Sequence, residues 1–492
     1  MIMDKWFQFS KRSQSPFPNY LSMESTTLEM KRVAGCNYQK IMIILQNNDY
    51  WLYFLENDFQ KAAKKILKKI KRNPTFFHAL ITWQKKCSPS FLKNTKKNAS
   101  GDLRLVNNKM LIKFYKQYEK EYKIIYSHYF PILSVEKYLT EYLTEYLLKE
   151  YKDQKIASDY FNKLLTVPSA MVNLKEKIEA LKLAAIIIQN KKWLKIFKSL
   201  NTDQLLRLDL KLYRLIKNHA KRWFWLTRGY DGEILTFNDF INRIKKHIED
   251  SPVKALQAIQ EKNNQLKEEV KKIKIDKKYK PLFQAMRDGM HLKELRKSIV
   301  SQSLHWFDPI LKEIARRGGI SHHQAKFLRA SDVREMLLKD KDFTYILNER
   351  IKLSMYLITK EGTKIIVGKQ AENYFKKFCQ TPNELKEIKG LAASPGVARG
   401  KAKIVLSLSE ANKVKKGDVV ITVNAEPSFS TAIIKAAALI ADSGTGITSH
   451  PATLAREAGI PCVVDAKIAT KILIDGDLIE VDGYKGIIRK IC

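Results

Sequence analysis

The stretch Asp442-Ser443-Gly444-Thr445-Gly446-Ile447-Thr448-Ser449-His450-Pro451 sets one histidine in a loop of small and hydroxylated residues. The apolar run ending at Ala441 reads as a strand, and Pro451 takes the first-turn position that prolines favour in helices. Gly459 stands where that helix must stop. His450 is therefore expected at a helix N-terminus. There the dipole disfavours the imidazolium and keeps the ring neutral and nucleophilic near pH 7. The backbone N–H groups at Gly444 and Gly446, with the hydroxyls of Thr448 and Ser449, form a nest for a dianionic phosphoryl group. A neutral imidazole beside such a nest has what a phosphoryl carrier needs: it attacks phosphorus, holds the group and releases it. Taken alone, a histidine in a Gly/Ser loop is more often structural, so the surrounding motifs matter.

Other reactive residue types are less suggestive. His322-His323 follow Gly318-Gly319-Ile320-Ser321 with no thiol or carboxylate cluster nearby in sequence, and read as a helix start rather than a metal site. Asp475 and Asp477 flank Gly476 in a turn. Arg456 follows His450 by six residues on the same short helix, where it either pairs locally or supports a bound phosphate. Cys462 opens a buried strand. No GxxxxGK[ST] and no GxGxxG occurs.

The wider C-terminal segment resembles the phosphohistidine (swivelling, or mobile) domain of the PEP-utilising enzymes, which include phosphoenolpyruvate synthase, pyruvate phosphate dikinase and rifampicin phosphotransferase. The resemblance rests on Gly390-Leu391-Ala392-Ala393-Ser394-Pro395-Gly396-Val397-Ala398-Arg399-Gly400, on Gly417-Asp418-Val419-Val420 and Glu426-Pro427, on Thr448-Ser449-His450-Pro451-Ala452 with Ala455-Arg456-Glu457-Ala458-Gly459-Ile460-Pro461, and on Gly476-Asp477-Leu478-Ile479-Glu480-Val481-Asp482-Gly483. It implies that His450 accepts the phosphoryl group. Thr445 separates two glycines that are adjacent in the family, Pro451 replaces a usual Ala, and Asp465 stands where a Gly commonly follows the strand. The run Trp223-Phe224-Trp225-Leu226, with Asp239-Phe240, Arg287-Asp288, Phe327-Leu328 and Asp332-Val333, is similar to helical connectors of that family. Neither an ATP-grasp domain nor a PEP-binding barrel is recognisable. The resemblance thus implies ATP or phosphoenolpyruvate, with magnesium, at a donor site on another domain or chain.

The elements that must position these residues fall into two grammars. Residues 1–280 hold only four of the 19 glycines, Gly35, Gly101, Gly229 and Gly232. With their Lys-, Leu-, Ile- and Tyr-rich runs they read as mostly helical. A basic amphipathic helix is expected over 58–72, a loop over 91–101, a tyrosine stripe (Tyr138, Tyr142, Tyr146) on one helix, helices over 173–199 and 203–221, and an exposed charged helix over 257–280. Thr236 and Asp239 predict a capping box. Helices over 285–316, 331–357 and 370–379 follow, with a short hairpin near Glu361-Gly362. From Gly390 short apolar strands (401–406, 418–423, 438–441, 462–464, 478–481) alternate with short helices (409–413, 430–437, 451–458, 468–472). The expected architecture is multidomain. A large, mostly α-helical N-terminal region (1–200, then a linker region 201–380) leads through a hinge (381–389) to a C-terminal α/β swivelling domain (390–492).

The net charge is +38, from 89 basic and 51 acidic side chains. Residues 389–492 hold 14 basic and 10 acidic ones, so the excess lies almost wholly before them. Lys outnumbers Arg 70 to 19, whereas sequence-specific nucleic-acid readers lean on Arg. Five scattered cysteines without a CxxC pair fit a reducing compartment. No apolar run of about 18 residues and no secretory h-region is seen, so a cytoplasmic protein with no membrane association is expected. Three readings follow: a phosphohistidine transferase, one subunit of a split enzyme with a separate nucleotide- or PEP-binding subunit, or a degenerate carrier whose basic half docks nucleic acid or another acidic partner.

Overall fold

The computed structural model describes residues 5–13, 16–47, 49–166, 171–199, 209–230, 232–379, 387–406, 408–425, 429–443 and 449–491. The N-terminal region opens with strand β1 (Trp6–Ser13), helices α1 (Pro16–Leu28) and α2 (Met30–Ala34), and strands β2 (Lys40–Gln46) and β3 (Asp49–Leu55). Helices α3 (Glu56–Arg72), α4 (Phe76–Asn98), α5 (Asn108–Ser127), α6 (Phe130–Tyr151), α7 (Gln154–Leu165), α8 (Val172–Gln189) and α9 (Lys191–Ser199) follow. Then come α10 (Leu210–Trp223), α11 (Phe237–Glu249), α12 (Pro252–Lys272), the long α13 (Lys280–Arg317), α14 (His322–Ala325), α15 (Ala330–Lys339) and α16 (Thr344–Lys352). Strands β4 (Ser354–Thr359) and β5 (Gly362–Val367) and helix α17 (Lys369–Cys379) complete the region.

The helical expectation holds for most of this region and fails at two places. First, β1, β2 and β3 join β4 and β5 in an antiparallel sheet of order β1-β3-β2-β4-β5. The hairpin expected at Glu361-Gly362 is present, but the helix expected to run to 357 stops at Lys352 and gives way to β4. β2 (KIMIILQ) and β3 (DYWLYFL) are continuous apolar runs because both faces are covered. Ile41, Ile43 and Leu45 face the main helical core, while Met42, Ile44, Trp51 and Tyr53 face α17. A run buried on two sides carries no alternation, so its period does not separate strand from helix. Second, α4 runs through 91–98, where a loop was expected; its Phe91 and Thr95 are buried and the break comes after Asn98.

The other helices follow their patterns. α3 buries Ala62, Ile66 and Ile70 and exposes its lysines apart from Lys69, which donates to the Val33 carbonyl at 2.9 Å. Tyr146 is buried and stacks on Tyr279 at 3.7 Å between ring centres, and Tyr142 packs on the same ring. α12 exposes nearly all of its length but stops at Lys272, short of the expected 280, and a non-helical link over 273–279 leads to α13. The Thr236/Asp239 capping box forms as predicted.

The C-terminal domain contains β6 (Glu387–Lys389), β7 (Leu391–Ser394), β8 (Val397–Ile404), β9 (Val419–Thr422), helix α18 (Ser430–Ile433), β10 (Ala438–Ala441), helix α19 (His450–Ala458), β11 (Cys462–Val464), helix α20 (Ala469–Ile472), β12 (Leu478–Asp482) and β13 (Ile487–Lys490). Its sheet has the order β6-β13-β12-β8-β9-β10-β11-β7. The run β8-β9-β10-β11 is parallel and the flanking pairs are antiparallel. All five expected strands are found, and 409–413 is a 3₁₀ turn. Of the expected hinge, 381–386 lies outside the described residues, and 387–389 is strand β6, paired with β13. One face of the sheet packs within the domain, and side chains of the other (Val420, Leu439, Cys462) join the cluster that includes the helical core. Gln154 Nε2 also donates to the Tyr484 carbonyl at 3.2 Å.

The N-terminal sheet depends on its central pair, β2 with β4. Ile358 in β4 pairs with Ile41 and is fully buried. Ile358→Ala should cost about 2–5 kcal/mol in urea unfolding. The loss should appear in both the helical signal and the tryptophan signal of Trp51, since one sheet unites residues from both ends of this region.

Candidate functional site

β10 delivers the chain to the site, and hydrogen bonds pin it where it leaves the strand. Asp442 accepts from the Ala469 N–H at 2.6 Å, from the Thr470 N–H at 3.0 Å and from the Thr470 hydroxyl. The Ser443 hydroxyl donates to the Val423 carbonyl at 2.5 Å. Gly444, Gly446 and Thr448, three residues of the expected phosphate nest, lie outside the described residues. The chain re-enters at Ser449, the N-cap of α19, with His450 and Pro451 in the first turn. Gly459 ends the helix in the left-handed region at φ 71, donating to the carbonyls of Ala455 and Arg456. His450 thus stands at the predicted helix N-terminus.

The helical region supplies what faces it. Lys297 Nζ, on α13, lies 3.3 Å from His450 Nδ1 and 2.6 Å from Glu294 Oε1. An ammonium group has donors only, so Nδ1 accepts and the neutral ring carries its proton on Nε2. His450 Nε2 and Ser449 Oγ are both buried and have no hydrogen-bond partner among the described residues. Burial, then the Lys297 charge, push the His450 ring down to about 3, with Glu294 opposing. The helix dipole acts in the same sense. Burial alone would raise the Glu294 carboxyl, but Lys297 and the Val172 backbone N–H more than offset it and hold it below the usual carboxylate range.

Arg456 points elsewhere. Its guanidinium donates to the Ala393 carbonyl at 3.0 Å and to Asn162 Oδ1 at 3.4 Å, tying α19 to β7 and to α7 of the helical region. Burial lowers it to about 10, with Cys462 and Glu457 opposing. Asp465, at the end of β11 with φ 56, is raised to about 6, chiefly by burial. His322 sits in the capped helix start read from the sequence and meets Asp308 at 2.9 Å. Asp475 and Asp477 pair with Lys413 and Lys490. No group of three or more His, Cys, Asp or Glu is placed to hold a metal ion among the described residues.

Lys297 and Glu294 were not singled out from the sequence. They lie in a long charged helix, 153 residues from His450 in the case of Lys297, and only the docking of two units brings them to the imidazole.

Residues 414–486 match the family described as PEP-utilising enzyme, mobile domain. The C-terminal domain matches that mobile domain. The chain is 48% identical over 101 residues to a probable phosphoenolpyruvate synthase of Archaeoglobus fulgidus, covering 20% of this chain and 13% of that protein. It is 46% identical over 103 residues to phosphoenolpyruvate synthase of Pyrococcus furiosus, covering 21% and 12%. A chondramide synthase of Chondromyces crocatus is 39% identical over 106 residues, covering 22% and 3%. The chain therefore spans only a small part of the curated relatives it matches. No helix among the described residues is long and apolar enough to cross a membrane.

The buried imidazole gives a pH test. Above pH ~6.5 the ring is neutral in both the folded and the unfolded chain. As pH falls from there toward the folded value of about 3, the unfolded ring takes a proton that the folded ring refuses, and stability falls by up to ~1.4 kcal/mol per pH unit. Thermal midpoints of the native chain should drop more steeply between pH 6.5 and 4.5 than those of His450→Asn. Equal slopes would mean that the ring is not buried in solution.

Proposed function

We propose that this chain transfers a phosphoryl group through His450 Nε2, and that the arrangement with Lys297 serves its release. The observation that carries the reading is the division of labour on one ring: Nδ1 faces a cation while Nε2 is buried and has no partner among the described residues. The match of the domain to the PEP-utilising mobile domain supports it.

Loading needs the other tautomer. A proton on Nδ1 leaves the Nε2 lone pair free to attack phosphorus. The P–N bond forms, the bond from phosphorus to the donor's leaving oxygen breaks, and the Nδ1 proton goes to solvent. The Lys297 contact opposes that tautomer, so loading belongs to an arrangement in which the mobile domain has left α13. The donor would be ATP or phosphoenolpyruvate with magnesium, held by another domain or by a separate nucleotide- or PEP-binding subunit.

Release fits the docked geometry. With phosphorus on Nε2, the Nδ1 lone pair accepts from Lys297. As an acceptor oxygen attacks and the P–N bond breaks, the electron pair returns to the ring and Lys297 passes a proton to Nδ1. The acceptor's own proton then restores the ammonium through solvent, and the ring ends neutral. Lys297 is thus the general acid for the imidazole leaving group.

Phosphoramidate, which phosphorylates histidine without a protein donor site, tests the carrier directly, alongside ATP–magnesium and phosphoenolpyruvate. Intact mass should show one added phosphoryl group, acid-labile, base-stable and absent from His450→Ala. Lys297→Gln should still load, and its adduct should decay roughly tenfold or more slowly. No adduct from any donor, or an adduct that persists in His450→Ala, would sink the reading.

One feature supports a second reading, in which the basic half docks a polyanion. Lys109, Lys113, Lys116 and Lys120 form an exposed stripe at i, i+4, i+7 and i+11 of α5, and none is in an ion pair among the described residues. A labelled DNA oligonucleotide should then bind with log K falling linearly in log salt. Changing the four lysines to Ala should lower the slope by about 3 to 4. An unchanged slope would dismiss the stripe as the contact.

A further inference from the structure

A cavity of about 750 Å³ opens beside α13, well away from His450. Its α13 residues run from Leu304 to Lys312, seven to fifteen positions past Lys297, or roughly 10–22 Å along the helix. The volume lies in the range of small-molecule sites, about 300–1,000 Å³. We propose that this cavity binds an acidic small molecule with an aromatic or other flat apolar body.

The floor argues for the apolar body. Phe17, Leu304, Phe307 and Leu311 line it. Phe17 and Phe307 stack at 5.3 Å with their planes 4° apart. These side chains are almost wholly buried, so the floor is the fixed edge of the helical core.

The wall argues for the acid. Arg228 lines the cavity, and its Nε is buried with no hydrogen-bond partner among the described residues. Its Nη1 reaches only the Gly232 carbonyl, at 3.5 Å. A guanidinium at the wall offers a fork of donors, and a carboxylate, sulfonate or phosphate oxygen is the group that matches it best. Among the described residues no carboxylate forms an ion pair with Arg228, although its charge is felt by Asp308. Asp308 pairs with Lys312 at 2.9 Å and lies 2.9 Å from the His322 ring. Glu233 lies exposed at the rim.

The Arg228 loop is also held in advance of any ligand. The Leu235 N–H donates to the Phe224 carbonyl at 2.8 Å, the Thr227 hydroxyl to the Glu233 carbonyl at 3.0 Å, and the Ser301 hydroxyl to the Gly229 carbonyl at 3.0 Å. Tyr230 accepts from Arg296. A wall anchored at four points places the guanidinium with little ordering left to be done on binding.

The probe is 8-anilinonaphthalene-1-sulfonate, an aromatic ring system with one anionic group, set against its uncharged analogue N-phenyl-1-naphthylamine. Fluorescence titration of the full chain, with stoichiometry from equilibrium dialysis, should show one saturable site that prefers the sulfonate roughly tenfold or more. Arg228→Gln should remove that preference, leaving the uncharged probe unmoved. Ile234→Trp, which fills the mouth, should weaken both probes. Circular dichroism melts identify any variant that fails to fold, and Ile234→Trp gives a second route to the same answer. Equal affinity for the two probes in the native chain, sulfonate binding indifferent to both changes, or no saturable binding would each overturn the proposal.

Discussion

Lys297 reaches from α13 to within 3.3 Å of His450 Nδ1, and two bases that close favour having one of them uncharged. The imidazole yields, because burial and a helix N-terminus both disfavour its cation. Lys297 pairs with Glu294, 2.6 Å away on the same helix. That carboxylate is in turn held by the backbone of α8. One contact between two domains therefore fixes a tautomer, with the Nδ1 lone pair facing Lys297 and the ring proton on Nε2.

A helix that offers a lysine at such a place needs support on its other sides. Lys293 meets the fully buried Glu136 of α6 at 2.8 Å, where removing the lysine would strand a charge. The Arg296 guanidinium lies 4.4 Å from the Tyr129 ring and donates to the Tyr230 hydroxyl. Three neighbouring cations on α13 thus have three different partners. Such pairs add little net stability. Their effect is positional, since they set the rotation of α13 and so the height at which Lys297 meets the mobile domain.

The C-terminal domain was legible because its code is local. Short apolar runs between glycines mark strands, and Pro451 and Gly459 bracket the helix that carries His450. Its family motifs are contiguous for the same reason, since close backbone approaches demand particular residues. A Cβ at Gly483 would stand 2.2 Å from the Ser394 carbonyl oxygen, so the turn after β12 accepts only glycine. The N-terminal sheet was not legible. β2 and β3 are buried on both faces, and their partners β4 and β5 lie at the far end of the region. Lys297 was illegible for a related reason. On α13 it reads as one more surface lysine, and nothing local says that another domain covers it. Arg456 shows the converse, since its nearness to His450 in sequence suggested a phosphate contact while its helix turns it toward Ala393 and Asn162.

The N-terminal sheet also has a consequence for how the protein is made. β2 leaves the ribosome early, yet the strand that covers its free edge, β4, follows roughly 300 residues later. At about 5–20 residues per second, that wait lasts roughly 15–60 seconds. Throughout it, an apolar strand presents an unpaired edge of the kind that recruits other chains. The hairpin β2–β3 must be shielded meanwhile, by α1, α3 and α6 folding over one face or by a chaperone. Biosynthesis of this chain is thus constrained less by its many helices than by seven residues, Lys40–Gln46, waiting for their neighbour.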